Sequence, residues 1–224
     1  MANVIFNLHL AATDKILLIF KRPSSSDVSP MSLLIVVYGA VPTASIERFH
    51  STLRCMAIAF KPLAIMESTF DNIDRGRSRK LSECRLRRPL KASSRNELCT
   101  LRILGHPIDP TRHQATVRSI SETPVSFDCQ ALLTATDFRL TFSVALHGTI
   151  YYLKDSQTVQ VVQVSKIKSD DHITDDIRTD DLWMVELSTI VSTVDGEISG
   201  VENNLLQFAK QLMDVTDVVF TFNS

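Results

Sequence analysis

Residues 138–167, FRLTFSVALHGTIYYLKDSQTVQVVQVSKI, constrain what this chain can fold into more than any other stretch. Phe138, Leu140, Phe142, Val144 and Leu146 alternate with Arg139, Thr141, Ser143 and Ala145. Successive side chains of an extended chain point to opposite faces, so this order buries one face and wets the other. His147-Gly148 predicts a tight turn into a strand over 149–154. Residues 155–157 give a second turn and 158–167 a further strand, which makes an antiparallel meander. Such strands need cover over the apolar face, and their edges need protection. A closed barrel supplies both.

The flanking sequence adds strands and two amphipathic helices. SLLIVVYG (32–39) is a β-branched apolar run, the pattern of a buried strand. Ile46, Phe49, Leu53, Met56 and Phe60 recur at steps of three and four, which predicts one helical face. Thr43 or Ser45 caps its start and Pro62 limits its end. Residues 98–105 and 114–121 read as strands, and 126–137 as a short helix capped by Ser126 with Leu132 and Leu133 inward. A strand follows at 182–191. A helix at 201–215 carries Val201, Leu205, Phe208 and Leu212 on one face, and 218–223 is a last strand or a tail. The fold class is therefore α+β: an antiparallel β-barrel with flanking helices near the N- and C-terminal ends.

KRPSSSDVSP (21–30) reads as a linker. It divides an N-terminal extension, 1–31, from a single barrel domain, 32–224. The extension lacks a basic start, and Asp14 and Lys15 interrupt its apolar part, so it is a poor signal peptide. No apolar run is long enough to cross a bilayer, and no membrane association is expected. A chain with 44% hydrophobic and 22% charged residues has the composition of a folded domain. Its net charge of −1 gives no global pull toward nucleic acid or acidic lipid.

Local features that resemble chemistry are weak. The loop-like stretch ILGHPIDPTRHQATVRS (103–119) holds His106, Asp109, Arg112 and His113 around Gly105 and Pro107. None of the six histidines forms H-x-H or H-E-x-x-H, the spacings that put two rings on one metal. His106 and His113 could meet across a hairpin, but a closed zinc site wants four ligands. Gly105 and Pro107 suit a structural turn, where Gly supplies an unusual φ, and Arg112 and His113 then begin the next strand. The six aspartates of 170–181 lack the central Gly and closing Glu of a calcium loop. Cys55, Cys84, Cys99 and Cys129 lie far apart, without a C-x-x-C pair, and read as isolated buried thiols of a reducing compartment. The basic run 75–95 reads as a charged surface facing an acidic partner. It has no aromatic residues on which bases could stack. Catalytic residues, cofactor and metal are all expected to be absent, and the sequence does not separate interface residues from core.

Taken in order, several segments resemble subunit 18 of the Mediator complex. YGAVP (38–42) and the helix SIERFHSTLRCM match the first strand and helix of that family. LRILGHP and RHQATVRS (101–119), the short helix, DFRLTFSVALHGTIYYLKDSQTVQVVQVSKI, WMVELSTIV and LLQFAKQLMDV continue the match over about residues 33–220. The resemblance implies a non-catalytic, nuclear head-module subunit with a barrel and flanking helices. It implies pairing with Mediator subunit 20, capture of a C-terminal helix of subunit 8, and contact with other head-module subunits and RNA polymerase II. It implies no direct nucleic-acid partner. Two rival readings are a triphosphate-tunnel-like hydrolase and an RNA-binding barrel. The hydrolase needs inward glutamates on its first strand to hold a divalent metal. LLIVVYG has none, and Glu186 stands alone in its own strand.

Overall fold

The computed structural model describes residues 32–72, 83–90, 98–136, 138–167, 181–192 and 198–223. The extension 1–31, its linker and the acidic residues 169–180 lie outside them. In chain order the elements are β1 (Ser32–Pro42), a 3₁₀ turn (Thr43–Ser45), α1 (Ile46–Met56), β2 (Ala59–Asn72), β3 (Glu83–Pro89) and β4 (Cys99–Pro107). They continue as β5 (Thr116–Val125), α2 (Cys129–Ala135), β6 (Phe138–Tyr152), β7 (Gln157–Lys166), β8 (Leu182–Ser192), α3 (Ile198–Val215) and β9 (Val219–Thr221).

The strands pair in the order β5-β4-β3-β2-β6-β7-β8-β1, and β1 pairs back onto β5. Eight antiparallel strands thus close on themselves, as the alternating sequence predicts. Ser32–Val36 of β1 pair with β5, while Tyr38–Ala40 take β9, so both halves of that edge are satisfied. The C-terminal segment is a strand, not a tail.

Every residue from Leu33 to Val37 is buried, because each face of β1 has its own cover. Leu33, Ile35, Val37 and Val41 face outward into the main core, with Phe49 and Leu53 of α1 and Leu205, Ala209 and Leu212 of α3. Val117, Val159, Val161, Val185 and Leu187 extend that core across the neighbouring strands. Leu34 and Val36 face inward and pack with Leu104 and Ile120. The large apolar core therefore lies between the barrel wall and two helices, not inside the barrel. Phe49, Leu53 and Leu205 are fully buried. Burial of each is worth about 1.5–3 kcal/mol.

Four local expectations change. First, β6 runs unbroken through His147-Gly148, with Gly148 paired to Leu63 and Val162. Gly148 serves close approach: a Cβ there would lie 1.9 Å from the Val161 carbonyl oxygen. The hairpin turn is at Asp155-Ser156, both at positive φ (56° and 58°), as a primed turn requires. Second, Leu140 and Phe142 are exposed, although the alternation places them inward. The β2–β6 register shifts at Thr69/Phe70, and β7 covers β6 only from Val144 onward. Third, α1 ends at Met56. Ala57 is extended, the Ile58 N–H donates to the Tyr152 carbonyl at 2.8 Å, and Phe60 and Pro62 belong to β2. Fourth, Ser45 stands at the cap position of α1 without a side-chain cap bond. The Ser45 hydroxyl donates to Asp217 Oδ2 at 2.6 Å, and the cap position of α2 is Asp128, not Ser126. Cys129 and Leu133 are the buried residues of α2.

Candidate functional site: an ionic barrel lumen

Strand register determines which side chains enter the lumen. Residues paired across strands share a face, so the inward set can be followed around the wall. On β3, Cys84 and Leu86 are buried outward, and Glu83, Arg85 and Arg87 face in. Arg87 pairs with Glu67 and Arg85 with Arg102, while Arg102 pairs with Glu122. Arg118 pairs with inward Leu34; Tyr38 pairs with Glu186, and Glu186 with Gln160. The lumen therefore holds Arg85, Arg87, Arg102 and Arg118 with Glu67, Glu83, Glu122 and Glu186.

These charges are largely paired with each other. The Arg87 Nε donates to Glu67 Oε2 at 2.6 Å, and Arg85 Nη1 donates to Glu67 Oε1 at 3.4 Å. The Arg85 Nε donates to Glu83 Oε1 at 2.5 Å, and Arg118 Nη1 lies 3.5 Å from Glu83 Oε2. The Arg102 Nε donates to Glu122 Oε1 at 2.5 Å. Glu67 is only 6% exposed. A buried carboxylate costs several kcal/mol unless it is closely paired, and its two arginines meet that need. Burial disfavours the Arg85 charge, but Glu67 and Glu83 more than offset it and hold its pKa above the ordinary value. Burial raises the Tyr38 phenol, and Glu186 raises it further, against the pull of Arg85, Arg118 and Arg102.

These four arginines and four glutamates balance in charge, and Asp71, paired with Glu83, brings a further carboxylate to the same face. Thr69 Oγ1, Arg118 Nε and Gln160 Nε2 are buried without a hydrogen-bond partner. Each such orphan costs about 1–3 kcal/mol. Among the described residues, no group of three or more His, Cys, Asp and Glu side chains is placed to hold a metal ion. Glu186 does not stand alone in space: it faces the lumen beside Tyr38 and Gln160. The other inward acids come from β2, β3 and β5, which the sequence reading missed. The reading of 75–95 as a charged surface also fails for Arg85 and Arg87. The alternation of Glu83, Arg85 and Arg87 with Cys84 and Leu86 was the available signal.

The histidine-rich loop is a structural pin. His106 is exposed near the end of β4. The Thr111 N–H and hydroxyl donate to Asp109 Oδ1 at 3.3 and 2.6 Å, and Arg112 Nε contacts Oδ2 at 3.0 Å. The Thr111 hydroxyl bond leads in lowering the Asp109 pKa. Neither Arg112 nor His113 starts a strand, since β5 begins at Thr116. His113 Nδ1 lies 2.6 Å from Glu202 Oε2 on α3, and Glu202 Oε1 accepts from the Ala115 N–H at 2.9 Å. The Asn223 amide donates to the carbonyls of His113 and Ala115, both at 3.1 Å. The loop thereby ties α3 and the C-terminal segment to the barrel. Gly105 is there for room: a Cβ would lie 2.2 Å from Ser119 Oγ.

None of the four cysteines is in a disulfide, and Cys55 is exposed. Cys84, Cys99 and Cys129 are buried on β3, β4 and α2, close enough to influence one another, so they are not isolated. Burial, with smaller contributions from neighbouring charges, pushes the Cys84 thiol up to about 12 and the Cys129 thiol to about 11. Such thiols are inert at neutral pH.

The fold recurs in solved structures. A chain of the Schizosaccharomyces pombe Mediator head module superposes with a TM-score of 0.65 at 14% identity, over 84% of this chain and 99% of that one. A Pyrococcus horikoshii OT3 protein gives 0.55 at 15% identity, over 81% and 89%. The Mimivirus capping enzyme triphosphatase gives 0.53 at 9% identity, over 84% and 92%. At such identities the likeness is one of fold. No curated protein matches the chain in sequence. The family model for Med18 protein matches residues 71–219, from the end of β2 into β9 and well over half of the chain. The chain therefore belongs to the Med18 family and is a subunit of Mediator.

Proposed function

We propose that this Mediator subunit is a non-catalytic interaction barrel of the head module. It pairs with Mediator subunit 20 and holds a C-terminal helix of subunit 8. In the nucleus it helps join regulators to RNA polymerase II. The observation that carries the non-catalytic part is the pairing of the lumen's arginines with its glutamates. Its arginines are engaged by glutamates of the same wall, and Glu67 and Glu83 each serve two of them. A carboxylate committed to arginine is a poor ligand for a divalent cation. A guanidinium committed to carboxylate is likewise less available to a phosphate. Arg85 and Arg87 face the lumen, which also removes them from any RNA-binding surface.

The test is a pull-down of the tagged chain from nuclear extract, washed in high salt. Recovery of head-module subunits, with subunits 20 and 8 the most resistant to washing, supports the assignment. Salt screens exposed charge pairs and leaves hydrophobic burial intact, so resistance also identifies the glue. Recovery without those two subunits overturns the partner assignment. Metal-dependent release of phosphate from tripolyphosphate by the purified chain, lost on Glu67→Gln, overturns the non-catalytic one.

A further inference from the structure

We draw no further inference here: the strongest candidate, the unpartnered polar atoms of Thr69, Arg118 and Gln160 in the barrel lumen, belongs to the site already described, and nothing in the structure brings the three together on one ligand.

Discussion

Glu67 is the residue whose removal should cost the lumen most. Its carboxylate is nearly sealed from water and receives Arg87 at 2.6 Å and Arg85 at 3.4 Å. Arg85 has a second partner in Glu83, while Glu67 supplies the close ion pair of Arg87. Glu67→Ala therefore leaves one guanidinium buried beside a small cavity without its carboxylate. Breaking a buried pair from one side costs about 3–5 kcal/mol. For a chain of this size, 1 kcal/mol moves Tm by about 2–4 °C, so the expected fall is about 6–20 °C. Glu67→Gln keeps the shape and one acceptor and should lose about 1–3 kcal/mol. Replacing both partners, Glu67→Leu with Arg87→Leu, should recover most of the loss, because neither charge then needs compensation. Thermal unfolding followed by circular dichroism distinguishes the cases. A change of less than about 2 °C for Glu67→Ala would refute the paired lumen. A double variant less stable than the single one would refute the claim that the cost is the orphaned arginine.

Four further outcomes follow from the same contacts. Glu202→Ala strips acceptors from His113 and the Ala115 N–H, and should cost about 2–4 kcal/mol in urea unfolding; Glu202→Gln should cost less. Gly148→Ala forces a Cβ against the Val161 carbonyl and should lower stability by about 1–3 kcal/mol or prevent soluble expression, whereas Gly200→Ala, in open space, should not. A disulfide-exchange reagent at neutral pH should titrate the Cys55 thiol in the native chain and the other three only after denaturation. The phenols of Tyr38 and Tyr151 both stand above the ordinary value of 10.0, chiefly through burial. The folded state then keeps protons that the unfolded chain has already lost. Their contribution is intact below about pH 10 and falls as pH rises beyond it, a decline that Tyr38→Phe should lessen.

Much of the architecture was legible from local pattern. Period-two alternation marked the walls, and period-three-and-four stripes marked α1 and α3, because a regular backbone repeats its side-chain directions. Errors arose where a residue's meaning depends on a neighbour from another strand. His147-Gly148 has the composition of a turn, yet the close approach of β7 is what requires that glycine. Leu140 and Phe142 follow the buried alternation, but a register shift and the late start of β7 leave them in water. Met56 and Phe60 match a helical stripe, while the hydrogen bond from Ile58 to Tyr152 commits the chain to a strand.

By itself, the sequence determined the fold class, the closing role of the apolar strands and the absence of familiar catalytic spacing. Each depends on near-neighbour periodicity or on a compact motif. Only the tertiary structure decided where the charges go. Arg85, Arg87, Arg102 and Arg118 lie on three strands and their glutamates on four. Antiparallel register between neighbouring strands brings opposite charges within ion-pair distance, as Glu67 with Arg87 across β2–β3 and Arg102 with Glu122 across β4–β5. Tertiary structure also turns Arg85 and Arg87 of the basic run into the lumen and places His113 against Glu202, 89 residues further along the chain.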